Sequence, residues 1–446
     1  MSATLTQAPR VASAKQALSE ELREKQREEQ RVQEAIRGFV KDFGRTAALN
    51  METCLHCGMC AEACHFHEVT GDPRYTPVWK IEPFKRAYLR EYGPFALLHR
   101  LFHLTRKPTL AELAEWQELI FDACTLCGRC SLICPMGLDL EGLISQARHG
   151  MARAGLVPQE LWEAGERVVR AAGSAGEADA LRTLLSKLEK QSGVPILLDR
   201  PKAEVMCTLS SAEIDRYPES IVAMARIMRH VGADWTYRSD GYDATNLGLL
   251  TGKLEWQKAM TLRLIDAAKG CGAKTLVLPE CGHAYTAMRW MGAEIAGEPL
   301  PFRILHISEF LAEQVSRGTL KLKRLERSVT FHDPCQIGRL GGVFEAPRIV
   351  LAALGLTLRE TSPTQGTNWC CGGGGGVLSI GRADGLRHRV FQLKMQQINE
   401  AEADLCLTSC ASCRQTFEDG AAHFHWDRSM QSLLELAADN LVEDRT

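Results

Sequence analysis

Cys54-Leu55-His56-Cys57-Gly58-Met59-Cys60-Ala61-Glu62-Ala63-Cys64 and Cys124-Thr125-Leu126-Cys127-Gly128-Arg129-Cys130-Ser131-Leu132-Ile133-Cys134-Pro135 are the stretches on which the reading of this chain turns. Each is a C-x2-C-x2-C-x3-C run. Thiolates at successive threes wrap a tight loop around one face of an iron–sulfur cubane, and the fourth thiolate crosses to the other cluster. The pattern assigns one [4Fe–4S] cluster to Cys54, Cys57, Cys60 and Cys134, and a second to Cys124, Cys127, Cys130 and Cys64. Zinc knuckles, the competing use of such thiols, take two separated pairs rather than a triple at threes plus one.

The closing Cys134-Pro135 is the ending typical of bacterial ferredoxins, whereas Cys64 is followed by His65. About sixty residues separate the two runs, far more than in small ferredoxins. The insert carries a turn at Thr70-Gly71-Asp72-Pro73 and a capping box, Thr109-Leu110-Ala111-Glu112, that opens a helix. It is expected to form helices that bury the clusters and present a surface to partners. His56, His65 and His67 read as neighbours of the first run, because cysteine already fills the ligand positions.

A second cysteine set follows much later: Cys335, the pair Cys370-Cys371, then Cys410 and Cys413. Adjacent cysteines rarely bridge each other, because the small ring strains disulfide geometry. A pair meeting two thiols one helical turn apart is better explained as a polythiolate metal site. Gly372–Gly376 follow the pair and let backbone N–H groups approach sulfur closely. No Lys-Ser or Lys-Thr follows them, so a phosphate loop does not fit. Zinc on four of the five thiols is the competing reading.

Composition bounds the rest. The chain has 446 residues and 17 cysteines, with 53 basic against 55 acidic residues and a net charge of −2. That balance points away from nucleic acid. No apolar run of spanning length occurs, Phe95–Leu104 being interrupted by His99, Arg100 and His103. Met1–Arg10 has no apolar core of a secretory signal, so a cytoplasmic protein is expected. Clustered cysteines in a reducing compartment favour metal or redox centres over disulfides.

The expected fold class is mixed α+β and α/β. A helical extension occupies residues 1–50, with Leu18, Leu22, Val32, Ile36, Val40 and Phe43 as a narrow apolar stripe best formed from Gln30 onward. It reads as a helix packing locally rather than one that docks a partner. The helical two-cluster ferredoxin domain covers 51–165 and a linker 166–200. A duplicated α/β domain follows, divided at about 201–325 and 326–440, with strands at Thr275–Leu278, Val329–Phe331 and Leu405–Thr408. Cys207 and Cys281 are 74 positions apart and Cys335 and Cys410 are 75 apart, which pairs a degenerate copy with a complete one. Leu278-Pro279-Glu280-Cys281-Gly282-His283 then matches Leu407-Thr408-Ser409-Cys410-Ala411-Ser412. In the first copy Ala284 stands where Cys413 would be, and Cys207 and Cys281 read as buried small hydrophobes.

The double ferredoxin run followed by cysteine-rich repeats of the form C…CCG…CxxC resembles the heterodisulfide reductase family in its fused form. Cys64-His65-Phe66-His67, Thr70 to Pro77, Glu280 to Tyr285 and His332-Asp333-Pro334-Cys335 look like the cytoplasmic catalytic subunits of bacterial membrane redox complexes, such as the one associated with dissimilatory sulfite reductase. The resemblance implies a non-cubane [4Fe–4S] cluster on Cys335, Cys370, Cys371, Cys410 and Cys413. It also implies reduction, or reversible oxidation, of a disulfide- or trisulfide-type bond. The implied partners are a membrane-bound cytochrome b-type or quinone-linked subunit, which would bring this cytoplasmic chain to the membrane, and a small thiol-bearing carrier protein or thiol. His332 and Arg339 flank Cys335 and are candidates to orient or protonate a departing thiolate; His283 is a third candidate. The methanogen enzymes carry two complete cysteine-rich repeats and this chain one, which favours a protein thiol over a two-coenzyme substrate. A pure electron relay, as in the iron–sulfur subunits of glycolate and lactate oxidases, is the alternative.

Overall fold

The computed structural model describes residues 8–40, 42, 44–171 and 174–442. Helix α1 (Ala8–Val40) lies against α2 (Leu140–Arg153). Val32, Ala35, Ile36, Phe39 and Val40 are buried, so the stripe that begins after Gln30 faces the interior, while Leu22 stays exposed. Gly150 makes the contact close: a Cβ there would meet the Ala35 carbonyl oxygen at 2.6 Å. Arg153 pairs with Glu34 across the same seam. Phe43 lies outside the described residues. Among those residues, no helix is long and apolar enough to cross a membrane.

Helices α3 (Gln159–Ala171) and α4 (Ala175–Ser192) fill the stretch expected to be a linker. Trp162 of α3 packs on Trp256 at 4.5 Å between ring centroids. Leu181, Leu185 and Leu188 of α4 are buried in the core of the first α/β unit. The charged residues of 175–192, which suggested a linker, occupy the outer face of an amphipathic helix, and the leucines at i, i+4 and i+7 the inner one.

Two four-stranded sheets follow, every pairing parallel. The first has the order β2-β1-β3-β4 and the second β6-β5-β7-β8. The strands are β1 (Val205–Cys207), β2 (Trp235–Thr236), β3 (Thr275–Leu278), β4 (Arg303–His306), β5 (Ser328–His332), β6 (Thr357–Leu358), β7 (Leu405–Thr408) and β8 (Met430–Ser432). β3 and β7 are buried along their whole length, as parallel strands covered on both faces must be. The same order occurs twice in one chain, and one apolar core runs through both sheets, from Val277 and Leu305 to Val329, Phe331 and Leu407.

The two copies correspond differently from the cysteine spacing. Cys281 and Cys410 are equivalent: each is the extended N-cap of the helix after a central strand. These helices are α5 (Gly282–Ala296) and α7 (Ala411–Phe424), with α6 (Asp384–Glu400) lying between them in sequence. Cys207, however, lies inside β1 opposite Val277, as Phe331 lies in β5 opposite Leu407. Cys335 lies beyond the end of its strand. Cys207 is therefore a core residue of the sheet and not the counterpart of Cys335.

The cysteine-rich end of the second sheet is locked onto the ferredoxin module. Arg148 of α2 is completely buried and donates to the carbonyls of Ile120, Cys124, Leu250 and Gly375. Gly375 has φ +64°, and a Cβ there would meet the Thr125 carbonyl carbon at 2.7 Å. Gly375→Ala is expected to cost on the order of 1–3 kcal/mol through left-handed strain, with the clash in addition. Gly381→Ala, with open space around it, is expected to be close to neutral. Thermal midpoints of the two variants measured side by side check this.

Candidate metal centres

The loops that hold the first eight cysteines turn on left-handed glycines. Gly58 and Gly128 have φ of +82° and +72° and stand as N-caps of the short helices Met59–Glu62 and Arg129–Ile133. Each glycine lets the chain reverse between the second and third thiols of its run. The structure brings Cys54, Cys57, Cys60 and Cys134 around one cavity, with Val78, Leu138 and Leu140 as apolar walls. It brings Cys64, Cys124, Cys127 and Cys130 around another, with His65, Phe66 and Ile144. The last thiol of each run thus stands with the first three of the other. Four thiols around one enclosed space are the donor set that a cubane takes. Cys57 is exposed, so the first cavity reaches the surface.

The five later cysteines converge at the carboxyl edge of the second sheet, where parallel α/β folds place their ligands. Cys335 follows β5, Cys370-Cys371 follow β6, and Cys410 and Cys413 sit at the start of α7 after β7. All five are buried. Sγ of Cys335 and Cys370 are 3.9 Å apart, and Sγ of Cys371 and Cys413 3.4 Å. Hydrogen bonds from Cys413 and from the backbone N–H groups of Cys413, Gly282 and Ser412 bring the Cys410 thiol down to about 7. Gly282 belongs to the degenerate repeat, which therefore supplies the helix N-terminus facing this thiol. Five buried thiols with their polar groups turned to one another suit a polythiolate iron–sulfur site.

The two sets meet. Thr125 Oγ1, in the second ferredoxin loop, lies 3.4 Å from Cys370 Sγ. Hydrogen bonding with Cys370, then burial, pushes the Cys127 thiol up, so those two thiols are neighbours as well. Arg339 donates to the carbonyls of Gly366 at 2.6 Å and Cys127 at 2.7 Å, and to that of Asn368. It clamps the ferredoxin loop to the segment before Cys370. His283 accepts from the Gly375 backbone N–H at 3.3 Å, and burial lowers its pKa to about 4. It holds the glycine loop as a neutral acceptor. His332 is fully buried beside Cys371 and Cys413. His56 contacts Lys85 Nζ at 2.6 Å on the surface, and His65 is buried against Phe66.

Several working residues carry no signal in the cysteine motifs. Lys80 is buried, donates to the Ala123 carbonyl and lies 3.6 Å from Cys64 Sγ. Lys394 is buried and donates to Asn368 and Gln397. Burial lowers its pKa to about 7, against the pull of Cys371, Cys370 and Asp333. Lys80 thus sets its amine against a cysteine sulfur, and Lys394 fixes Asn368 ahead of Cys370. A different signal was present for Lys394: in α6 it shares the stripe of Val390, Phe391 and Ile398, where a lysine is out of place.

Comparison with known proteins finds the two cysteine-bearing domains separately. A model described as a 4Fe-4S dicluster domain matches residues 50–138, and one described as a cysteine-rich domain matches 329–418. One of the chains of the dihydromethanophenazine:CoB–CoM heterodisulfide reductase of Methanosarcina acetivorans is 27% identical over 90% of this chain and 96% of its own length. These matches make the chain heterodisulfide reductase-like. An Hdr-like menaquinol oxidoreductase iron–sulfur subunit of Archaeoglobus profundus is 24% identical over 88% of this chain and 79% of its own. The EtfAB:quinone oxidoreductase of Syntrophomonas wolfei is 25% identical over 85% of this chain and 56% of its own. Among solved structures, a hypothetical protein from Helicobacter pylori shares the fold with a TM-score of 0.52 at 10% identity, over 81% of this chain and 68% of its own. As an Hdr-like iron–sulfur protein, the chain is a redox enzyme subunit that transfers electrons.

The anaerobic protein is expected to carry about twelve irons and little zinc, four per thiolate site. Cys57→Ser should leave the electron paramagnetic resonance (EPR) signal of the C-terminal site unchanged, because Cys57 lies at the far cavity. Cys127→Ser should perturb that signal, because Cys127 adjoins Cys370. Iron analysis and EPR of the two variants read both outcomes.

Proposed function

We propose that the chain is the redox subunit of a membrane-associated complex whose C-terminal thiolate site reduces, or reversibly oxidises, a disulfide- or trisulfide-type bond of a thiol partner. When bound, two cubane clusters on the eight ferredoxin cysteines supply single-electron transfer, and a non-cubane cluster on the five later cysteines supplies iron that takes sulfur. The observation that carries this reading is the join at Thr125, Cys127 and Cys370, where the wall of the second cavity is also the wall of the five-cysteine site. A two-electron S–S cleavage needs such a junction, because cubanes pass one electron at a time.

The residues around the site have definable tasks in this reading. Arg148, Arg339 and His283 hold the glycine loop and the ferredoxin loop together. Lys394 ties Asn368, just ahead of Cys370, to α6. Cys57, at the exposed end, marks where electrons exchange with the partner. An apolar segment on the same insert, with Phe95, Leu97, Leu101, Phe102 and Leu104 exposed and Arg100, Arg106 and Lys107 beside them, fits the cytoplasmic face of a membrane-bound cytochrome b-type or quinone-linked subunit. The quinone-linked relatives in Archaeoglobus and Syntrophomonas support a partner of that kind.

Burial of all five C-terminal cysteines favours a second reading. In that reading the site only relays electrons, as in flavin-dependent glycolate or lactate oxidases. The two differ in their response to thiol. Catalysis predicts that millimolar thiol, or the natural carrier, alters the EPR signal of the oxidised C-terminal site, because iron gains or exchanges a sulfur ligand. Cys371→Ala should abolish that response and the disulfide reductase activity with an artificial donor. Reduction of the ferredoxin sites should survive, since none of their eight ligands is touched. Wild-type spectra unmoved by every thiol tried would leave the relay.

A further inference from the structure

His332 ends β5 and is completely buried. Neither of its ring nitrogens has a hydrogen-bond partner. Among the described residues it is the one histidine whose two ring nitrogens are both sealed from solvent and unpaired. His283 is satisfied by Gly375, and His306 holds Ser308 through Nδ1 at 2.8 Å. A buried polar atom left unpaired loses its hydration with nothing in return. Folds keep such an atom where something other than protein completes it.

Three further observations point to what completes it. A ring nitrogen of His332, Cys371 Sγ and Cys413 Sγ all lie within 4.8 Å of one another, the separation of donors that share a metal. The ring is held by Phe417 of α7, at 5.4 Å between centroids, so its direction is set by the helix that carries Cys413. In the degenerate copy, where the cysteine site has been dismantled, the first strand ends at Cys207 and Thr208 follows it. Thr208 satisfies itself there on the Val277 carbonyl, at 3.1 Å. At this place after the first strand, the copy that keeps the thiols has the unpaired His332.

We propose that His332 is a nitrogen ligand of the iron held by Cys371 and Cys413, so that the C-terminal site has a mixed thiolate–imidazole donor set. This rests on the reading of the five cysteines as an iron–sulfur site. A neutral imidazole in place of an anionic sulfur raises the reduction potential of the iron it binds, as histidine ligation does in other clusters. It also makes that iron chemically distinct from the others.

The test uses the whole protein grown with natural-abundance or 15N-labelled histidine and examined by pulsed hyperfine spectroscopy on the oxidised C-terminal signal. The expected result is a strong nitrogen coupling of a directly bonded nitrogen that changes with the histidine isotope. It should vanish in His332→Gln while about twelve irons remain. His332→Cys should keep the iron and lower the midpoint potential of that signal. Full iron with no histidine-sensitive coupling in the wild type, a weak coupling typical of a remote N–H···S contact, or a coupling that persists in His332→Gln would each overturn the ligand assignment while leaving the iron–sulfur reading intact. An iron count near eight would instead remove the C-terminal cluster, and the ligand assignment with it.

Discussion

The guanidinium of Arg148 sits where three separately encoded parts of the chain meet. It rises from α2 of the ferredoxin module and donates to Cys124 in the second cysteine run, Leu250 in the degenerate repeat and Gly375 in the glycine loop. Burial lowers its pKa to about 10, which leaves it charged at neutral pH. Removing a cation from water costs several kcal/mol, and only a full set of acceptors offsets that. Four carbonyls from three segments provide them. The positions of the Cys124 loop and the glycine loop are thereby fixed relative to each other, and the contact between Thr125 and Cys370 depends on both.

A polarity along the molecule follows. At one end Cys57 is exposed next to His56, which contacts Lys85 of the insert; at the other, the five later thiols are all buried. The cavity of Cys64, Cys124, Cys127 and Cys130 lies between these ends. The degenerate copy is not idle. It supplies the Gly282 N–H to Cys410, His283 to the glycine loop, and the Glu280 carbonyl that accepts from Ala411 at 2.7 Å. Loss of its own cysteines left a scaffold that closes one side of the remaining site.

Much of this was legible in the residues, because thiolate spacing is local chemistry. The eight ferredoxin cysteines, the later five, the three central strands and the buried stripe of α1 all follow from short-range patterns. Contacts between distant segments did not show. Nothing near Arg148 announces a partner at Gly375, and Arg339, expected beside a thiolate, spends its nitrogens on carbonyls 27 to 212 positions away. The glycine run does bring an N–H to sulfur, Gly372 to Cys370 Sγ at 3.4 Å, but Gly375 and Gly376 give way to Thr125 and Leu161 instead. Equal spacing of cysteines misplaced Cys207, since a count of residues cannot separate a strand position from the loop after it.

The central claim is that the three thiolate sites form one connected path with the Cys64–Cys124–Cys127–Cys130 site in the middle. Stepwise anaerobic reduction followed by EPR tests it most directly. The account predicts that the signal of the middle site is broadened and relaxed by magnetic interaction with each of the other two, including the five-cysteine site across Cys127 and Cys370. Three signals that add without interaction at every stage of reduction would contradict it.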